Sequence, residues 1–198
     1  MTNLRKLFSI SRLPTIDKEL ILCHILKIER VDLYKKSKIE IQDTTSKAFT
    51  DLIKKREEGF PLAYITGTKP FWNYEFKVNE STLIPRPESE LLVETAISIC
   101  LDNCSFLELG TGSGAIGMSI AKEKPLWTCT LTDKSFEALS VARENMKALN
   151  LKNSVLIQHD WHKRWLFEPM DLIISNPPYI NRNDLDGDED GIWFEPPS

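Results

Sequence analysis

The chain has no apolar run long enough to cross a bilayer, which excludes a membrane-spanning helix. It also lacks an apolar signal-peptide core with a cleavage pattern, and it shows no internal repeats and no low-complexity tract. Cysteine is sparse. Cys23, Cys100, Cys104 and Cys129 are scattered and none forms a C-x-x-C, so small buried thiols are expected rather than a disulfide framework or a thiolate metal site. Of three histidines, His159 and His162 lack the ligand-rich neighbours of a metal centre, and no metal is expected. Acids are missing from the first sixteen residues, which carry Arg5, Lys6 and Arg12. That bias is shared by organellar presequences, but the segment reads as an amphipathic first helix, and a cytoplasmic protein is expected.

What is present describes an ordinary folded protein. Its 198 residues, 41% hydrophobic and 27% charged, suffice for one full domain plus a small one. The net charge of −4 hides an asymmetry: residues 1–70 hold 14 Lys and Arg against 9 Asp and Glu, and the remainder holds 11 against 20. So acidic a second part repels a phosphate backbone instead of releasing its counterions, which counts against a nucleic-acid substrate.

Residues 1–66 read as an all-helical domain. Leu4, Leu7 and Phe8 begin an amphipathic stretch that Pro14 ends. Asp17 is the expected N-cap of a helix through Ile28, and Asp43 or Thr44 the cap of another that Gly59 stops. Residues 67–87 read as a β-hairpin linker, in which the alternation of Trp72, Tyr74, Phe76 and Val78 forms a strand paired with Thr82-Leu83-Ile84. From 88 to 198 strands alternate with helices. The strands are expected at 106–109, 127–132, 155–157 and 172–174, with helices at 88–100, 114–122 and, capped by Ser135, through Leu149. This is the pattern of an α/β doubly wound, mostly parallel Rossmann-like sheet of about four core strands, with ligands at the strands' carboxyl ends.

Those ends carry the chemistry. The first leads into Glu108-Leu109-Gly110-Thr111-Gly112-Ser113-Gly114, where glycines let the backbone turn sharply and approach a ligand, and the next helix offers unpaired N–H groups. Gly112-Ser113-Gly114-Ala115-Ile116-Gly117 is a literal G-x-G-x-x-G with Asp133 about twenty residues on, so alone the loop fits a nicotinamide-dinucleotide enzyme as well as a methyltransferase. Asp133 ends the second strand, placed to take the hydroxyls of an adenosine ribose. Asp160 ends the third, placed to accept from an adenine amino group, with Trp161 beside it as a packing surface. Either acid alone is also an ordinary helix cap or surface charge. The fourth strand ends in Asn176-Pro177-Pro178-Tyr179. Consecutive prolines fix two φ angles and remove two donors, so an amide, a carbonyl and an aromatic ring are held rigidly where they can grip a flat –NH2 group.

Glu108–Gly114 with Asp133 and Asp160 resembles a class I S-adenosylmethionine-dependent methyltransferase, and Asn176–Tyr179 narrows this to enzymes that methylate planar nitrogens. Together with Phe71-Trp72 and Thr82-Leu83-Ile84-Pro85-Arg86-Pro87-Glu88-Ser89-Glu90, a helical N-terminal domain and Phe194-Glu195-Pro196, the chain is similar to the HemK/PrmC family over nearly its whole length. The resemblance implies S-adenosyl-L-methionine as cofactor, held by Glu108, Gly110, Thr111, Gly112, Gly114, Asp133, Asp160, Trp161 and Asn176. It implies peptide chain release factors as partners, methylated on the glutamine of their Gly-Gly-Gln motif, and a protein acting as a monomer. Asn176, Pro177 and Tyr179 are the expected catalytic residues; Pro178 and Arg86 join them at the substrate. Arg86 has a second reading, a structural salt bridge.

Alternatives remain on the sequence: an amino methyltransferase of adenine or guanine in DNA or rRNA, or an inactive remnant that binds protein. A class I sheet has seven strands and this chain ends about twenty residues after the fourth, so weak cofactor binding and low activity are expected of it as it stands. The run 186–191 carries three alternating aspartates before a glycine, like half an EF-hand loop. Pro197 stands where the bidentate glutamate belongs, and the run reads as a solvated acidic loop.

Overall fold

The structure is a computed structural model that describes residues 4–35, 41–99, 102–164, 168–177 and 192–196. Cys100, Pro178, Tyr179 and the acidic run 186–191 lie outside the described residues. The chain divides into two units, Met1–Thr66 with Asp186–Phe194, and Gly67–Leu185 with Glu195–Ser198.

The first unit contains α1 (Leu4–Phe8), α2 (Thr15–Leu26), α3 (Arg30–Lys35), α4 (Asp43–Glu57) and α5 (Leu62–Thr66) around a core that includes Leu7, Ile21, Leu22, Phe49 and Ile53. Helix α2 begins earlier than its sequence predicts. Pro14 occupies the N-cap, because its fixed φ suits a helix start and its carbonyl takes the Asp17 N–H at 3.1 Å. Asp17 therefore lies within the first turn, where its carboxylate accepts from Arg56 Nε at 2.8 Å. Likewise Gln42 stands at the cap of α4, and Asp43 lies in the first turn, near the positive end of the helix dipole. Asp17, Lys18 and Glu19 are consecutive and all buried. Burial of three charges is tolerable because each is paired: Lys18 Nζ donates to the carbonyls of Phe8 and Ser11 at 3.0 and 3.1 Å, and Glu19 accepts from Arg30 and the Tyr34 hydroxyl.

The second unit opens with a hairpin of β1 (Thr68–Phe71) and β2 (Tyr74–Lys77), antiparallel with Phe71 opposite Tyr74. This corrects the expected pairing of residues 72–78 with Thr82-Leu83-Ile84. Thr82 instead closes a turn, its N–H donating to Asn79 O at 2.9 Å and its hydroxyl accepting from Asn79 N at 3.3 Å. The hairpin turn is Trp72-Asn73, with Trp72 at φ +54°, a left-handed conformation held by its N–H donating to Glu90 and its indole N–H donating to Glu123.

After a 3-10 turn at Pro87–Ser89 come α6 (Glu90–Ile99), β3 (Ser105–Leu109), α7 (Ala115–Glu123), β4 (Thr128–Asp133), α8 (Phe136–Ala148), β5 (Ser154–Gln158) and β6 (Leu172–Ser175). Ser135 caps α8 as the sequence predicts, its hydroxyl accepting from Ala138 N at 3.0 Å. The four strands of this sheet are all parallel, in the order β5-β4-β3-β6. β3 is thus central: its neighbours β4 and β6 lie on opposite sides, and the chain order reverses between β3 and β6. Such a reversal opens a crevice at the strands' carboxyl ends. Phe106, Met118, Ile120, Trp127, Cys129 and Leu131 are among the core residues beneath it. Cys23, Cys104 and Cys129 are buried thiols, none of them in a disulfide.

Candidate active site

A hollow of about 390 Å³, part of it open to solvent, lies at that reversal. Glu108 of β3 and Gly110, Thr111 and Gly112 from the loop after it line it, together with Asn176 from the end of β6 and Arg86 and Ser89 from the turn before α6. The register explains the meeting. Leu109 pairs with Ser175, so the residues following each, Gly110 and Asn176, leave the sheet side by side.

The loop's shape depends on its glycines. Gly110, Gly112 and Gly114 have φ of +70°, +55° and +85°, which side chains with a Cβ rarely adopt. Beside Gly112 there is open space, whereas a Cβ on Gly110 would meet the Trp161 ring at 3.1 Å. Trp161, predicted as a packing surface, therefore lies against the glycine loop, and its own N–H donates to His162 Nε2 at 3.1 Å. Gly114 is the N-cap of α7.

Two carboxylates hold the loop from below and from the side. Glu108 is buried at 2% exposure, accepts from the Thr111 hydroxyl, and accepts from Gly117 N at 3.2 Å. Burial pushes its carboxyl up to about 7, against the pull of those two donors. A Cβ on Gly117 would collide with the Glu108 carboxylate and Leu131, so this fourth glycine, the last of the G-x-G-x-x-G run, is what lets the carboxylate fit against α7. Asp133, at the end of β4, accepts from Gly112 N at 2.8 Å and from Ser135 N at 2.9 Å. Each oxygen keeps a second lone pair. Asp160, two residues beyond β5, accepts from His162 N at 3.0 Å, and that hydrogen bond holds its carboxyl below the usual range.

At the other wall, Asn176 Nδ2 donates to the Ser89 hydroxyl at 2.8 Å. Pro177 is exposed, and it is not among the residues lining the hollow. Arg86 forms a salt bridge with the buried Glu195 at 2.7 Å, which realises the structural reading of that arginine. Burial raises the Glu195 carboxyl even with Arg86 beside it. Ser89 and Asn145 were not anticipated as contributors. Asn145, buried in α8, donates to Ser113 O at 2.8 Å and bonds both backbone groups of Lys77, tying the glycine loop to β2. A polar residue at a helix position facing the core was the available signal.

The arrangement suits a nucleotide-bearing ligand: a cradle open above Gly112, the N-terminus of α7 beside it, and acids at the ends of two neighbouring strands. Residues 87–188 match the family model of the methyltransferase small domain, and residues 5–67 that of the PrmC N-terminal domain. A protein of Xylella fastidiosa named release factor glutamine methyltransferase is 40% identical over 190 residues, covering 94% of this chain and 69% of that one. The like-named protein of Shewanella oneidensis is 38% identical over 184 residues, 92% of this chain and 64% of that one. The chain thus spans about two thirds of the length of these relatives. Among solved structures, M. jannaschii TYW2 in complex with AdoMet aligns with TM-score 0.47 and 18% identity, over 54% of this chain and 48% of that one.

Proposed function

Because the chain belongs to the release factor glutamine methyltransferase family, we propose that it transfers a methyl group from S-adenosyl-L-methionine to the side-chain nitrogen of the glutamine in the Gly-Gly-Gln motif of peptide chain release factors. The observation that carries this reading is the placement of Asn176 on the same hollow as the glycine loop, with its –NH2 end tied to Ser89.

Bound in that cradle, the cofactor supplies an electrophilic methyl on a sulfonium. The protein's part is to hold and orient. Backbone groups of Gly110, Thr111, Gly112 and Gly114, with Glu108 beneath them, form the floor; Asp133 takes the ribose hydroxyls, Asp160 accepts from the adenine amino group, and Trp161 packs beside it. An amide nitrogen is a poor nucleophile because its lone pair is delocalised into the carbonyl. Asn176 Oδ1 and the Pro177 carbonyl accept its two hydrogens, which fixes the nitrogen and eases its pyramidalisation. Tyr179 and Pro178 are the further substrate residues of this reading. No strong base is needed beforehand, since the proton leaves once the nitrogen is cationic. Orientation of this kind supplies roughly 7–11 kcal/mol of the barrier reduction, and the two oxygens stabilise the positive charge that develops. Arg86, committed to Glu195, orders the site instead of contacting substrate. The protein acts in the cytoplasm as a monomer, on protein and not on nucleic acid.

The test supplies labelled methyl donor with release factor and, separately, with rRNA. Label is expected on the release-factor glutamine, and Asn176→Ala is expected to lower turnover by about a hundredfold with donor affinity nearly intact. Label on rRNA alone, or near-normal turnover in the variant, overturns the reading.

A further inference from the structure

The glycine loop contains a peptide unit that could present either of two faces. Each peptide is planar and turns as a unit, so turning over the one between Ser113 and Gly114 exchanges its carbonyl and its N–H. Gly114 stands at φ +85°, and a glycine populates that region about as readily as the right-handed one, so the residue itself does not choose between the faces. A ligand does feel the difference. Ser113, Ala115 and Ile116 line the hollow, and among the described residues no hydrogen bond takes their N–H groups. These are unpaired donors at the head of α7. A carbonyl turned in beside them would oppose any anionic group they attract.

Asn145 is placed to make the choice. It is 1% exposed in α8, it is not among the residues lining the hollow, and its Nδ2 donates to Ser113 O at 2.8 Å. The same amide pairs with Lys77 at the end of β2: Nδ2 donates to Lys77 O at 3.0 Å, and Oδ1 accepts from Lys77 N at 2.7 Å. All three partners are backbone groups of fixed sense. The Lys77 N–H can only donate, and the carbonyls of Lys77 and Ser113 can only accept. One orientation of the carboxamide therefore satisfies all of them and the inverted one satisfies none. The far side of the peptide agrees, since Gly114 N donates to Thr111 O at 2.8 Å within the loop.

Resting on the methyltransferase reading, we propose that Asn145 is a positioning residue for S-adenosyl-L-methionine, one that draws the Ser113 carbonyl out of the hollow so that the loop meets the donor's carboxylate end with N–H groups and not with an oxygen. Without it the peptide populates both faces, and the donor binds one of them. Apparent affinity then falls with the competent fraction, whereas turnover at saturating donor is unchanged. This is the reverse of the pattern expected for Asn176→Ala, which lowers turnover and spares donor affinity.

The experiment compares the parent chain with Asn145→Ala and with Asn145→Asp, which keeps the volume and the acceptor for Lys77 N but, ionised, offers Ser113 no hydrogen. Amide hydrogen exchange is followed by NMR at Gly114, whose N–H belongs to the peptide in question, and at Thr111, whose N–H donates to Thr132 O at 2.8 Å. In both variants Gly114 is expected to lose protection well beyond any loss at Thr111. General destabilisation lowers the two together, so equal losses overturn the proposal. Donor Kd is expected to rise about tenfold, as for one face in ten competent, with kcat on release factor at saturating donor close to that of the parent. An unchanged donor Kd, with or without a lowered kcat, also overturns it. Should neither variant fold, a scalar coupling across the hydrogen bond from Asn145 Nδ2 to Ser113 O is read in the parent chain; its presence upholds the anchor and its absence overturns it. If the parent binds no S-adenosyl-L-methionine, the functional reading fails by itself, and exchange at Gly114 still judges the asparagine.

Discussion

Glu108 is a side chain whose charge is set by its surroundings. Its carboxyl is held at about 7 by burial, against 4.5 for a free glutamate. The folded protein therefore binds this proton more tightly than the unfolded chain does. The contribution to stability is fully present below pH 4.5 and is lost as pH rises toward 7, amounting to about 3 kcal/mol over that window. Replacing Glu108 with Gln, which cannot ionise, should flatten this part of the pH profile; urea melts at pH 5 and pH 8 would measure it, and an unchanged slope would refute it. Gly117 is the companion test. An added methyl collides with the Glu108 carboxylate and Leu131, so Gly117→Ala should cost about 1–3 kcal/mol in denaturant melts. The same change elsewhere has a different cause: beside Gly112 there is room, and only its φ of +55° resists.

Among the elements, those with a strong period were legible and those held by single polar contacts were not. β3, β4, β5 and β6 alternate with α7 and α8, and each strand end carries a residue type with a chemical purpose, so sheet and loop could be read together. The hairpin was misread because Thr82-Leu83-Ile84 has strand composition, while the true turn is Trp72-Asn73, which lacks the glycine that marks such turns. Helices α3 and α5 escaped because six and five residues display too little periodicity. Ser89 looked like any residue opening a helix; its partner Asn176 stands 87 positions away in the chain, and only the fold brings the two together. Asn145 tests how elements are joined: Asn145→Ala leaves three backbone groups of β2 and the glycine loop without their partner and should cost about 3 kcal/mol. It should also weaken donor binding, because Ser113 belongs to the loop. Full retention of stability in a thermal melt would mean that the loop holds its shape unaided.

On the scale of the whole molecule, each unit has a hydrophobic core of its own. A ligand that binds only the cradle should therefore stabilise the second unit selectively. With S-adenosyl-L-methionine at a hundred times its Kd, the gain is about 2.7 kcal/mol, and hydrogen exchange should slow along β3, α7 and β4 while the amides of α2 and α4 are unaffected. Equal slowing in both cores would contradict this. The central position of β3 has a temporal meaning as well. The cradle is assembled from residues 105–133, whereas the asparagine that faces it arrives on β6, more than forty positions later, after the chain has doubled back past its own starting strand. A polypeptide growing from its N-terminus thus finishes the glycine-loop cradle before it owns the asparagine to which the proposed reading gives the acceptor.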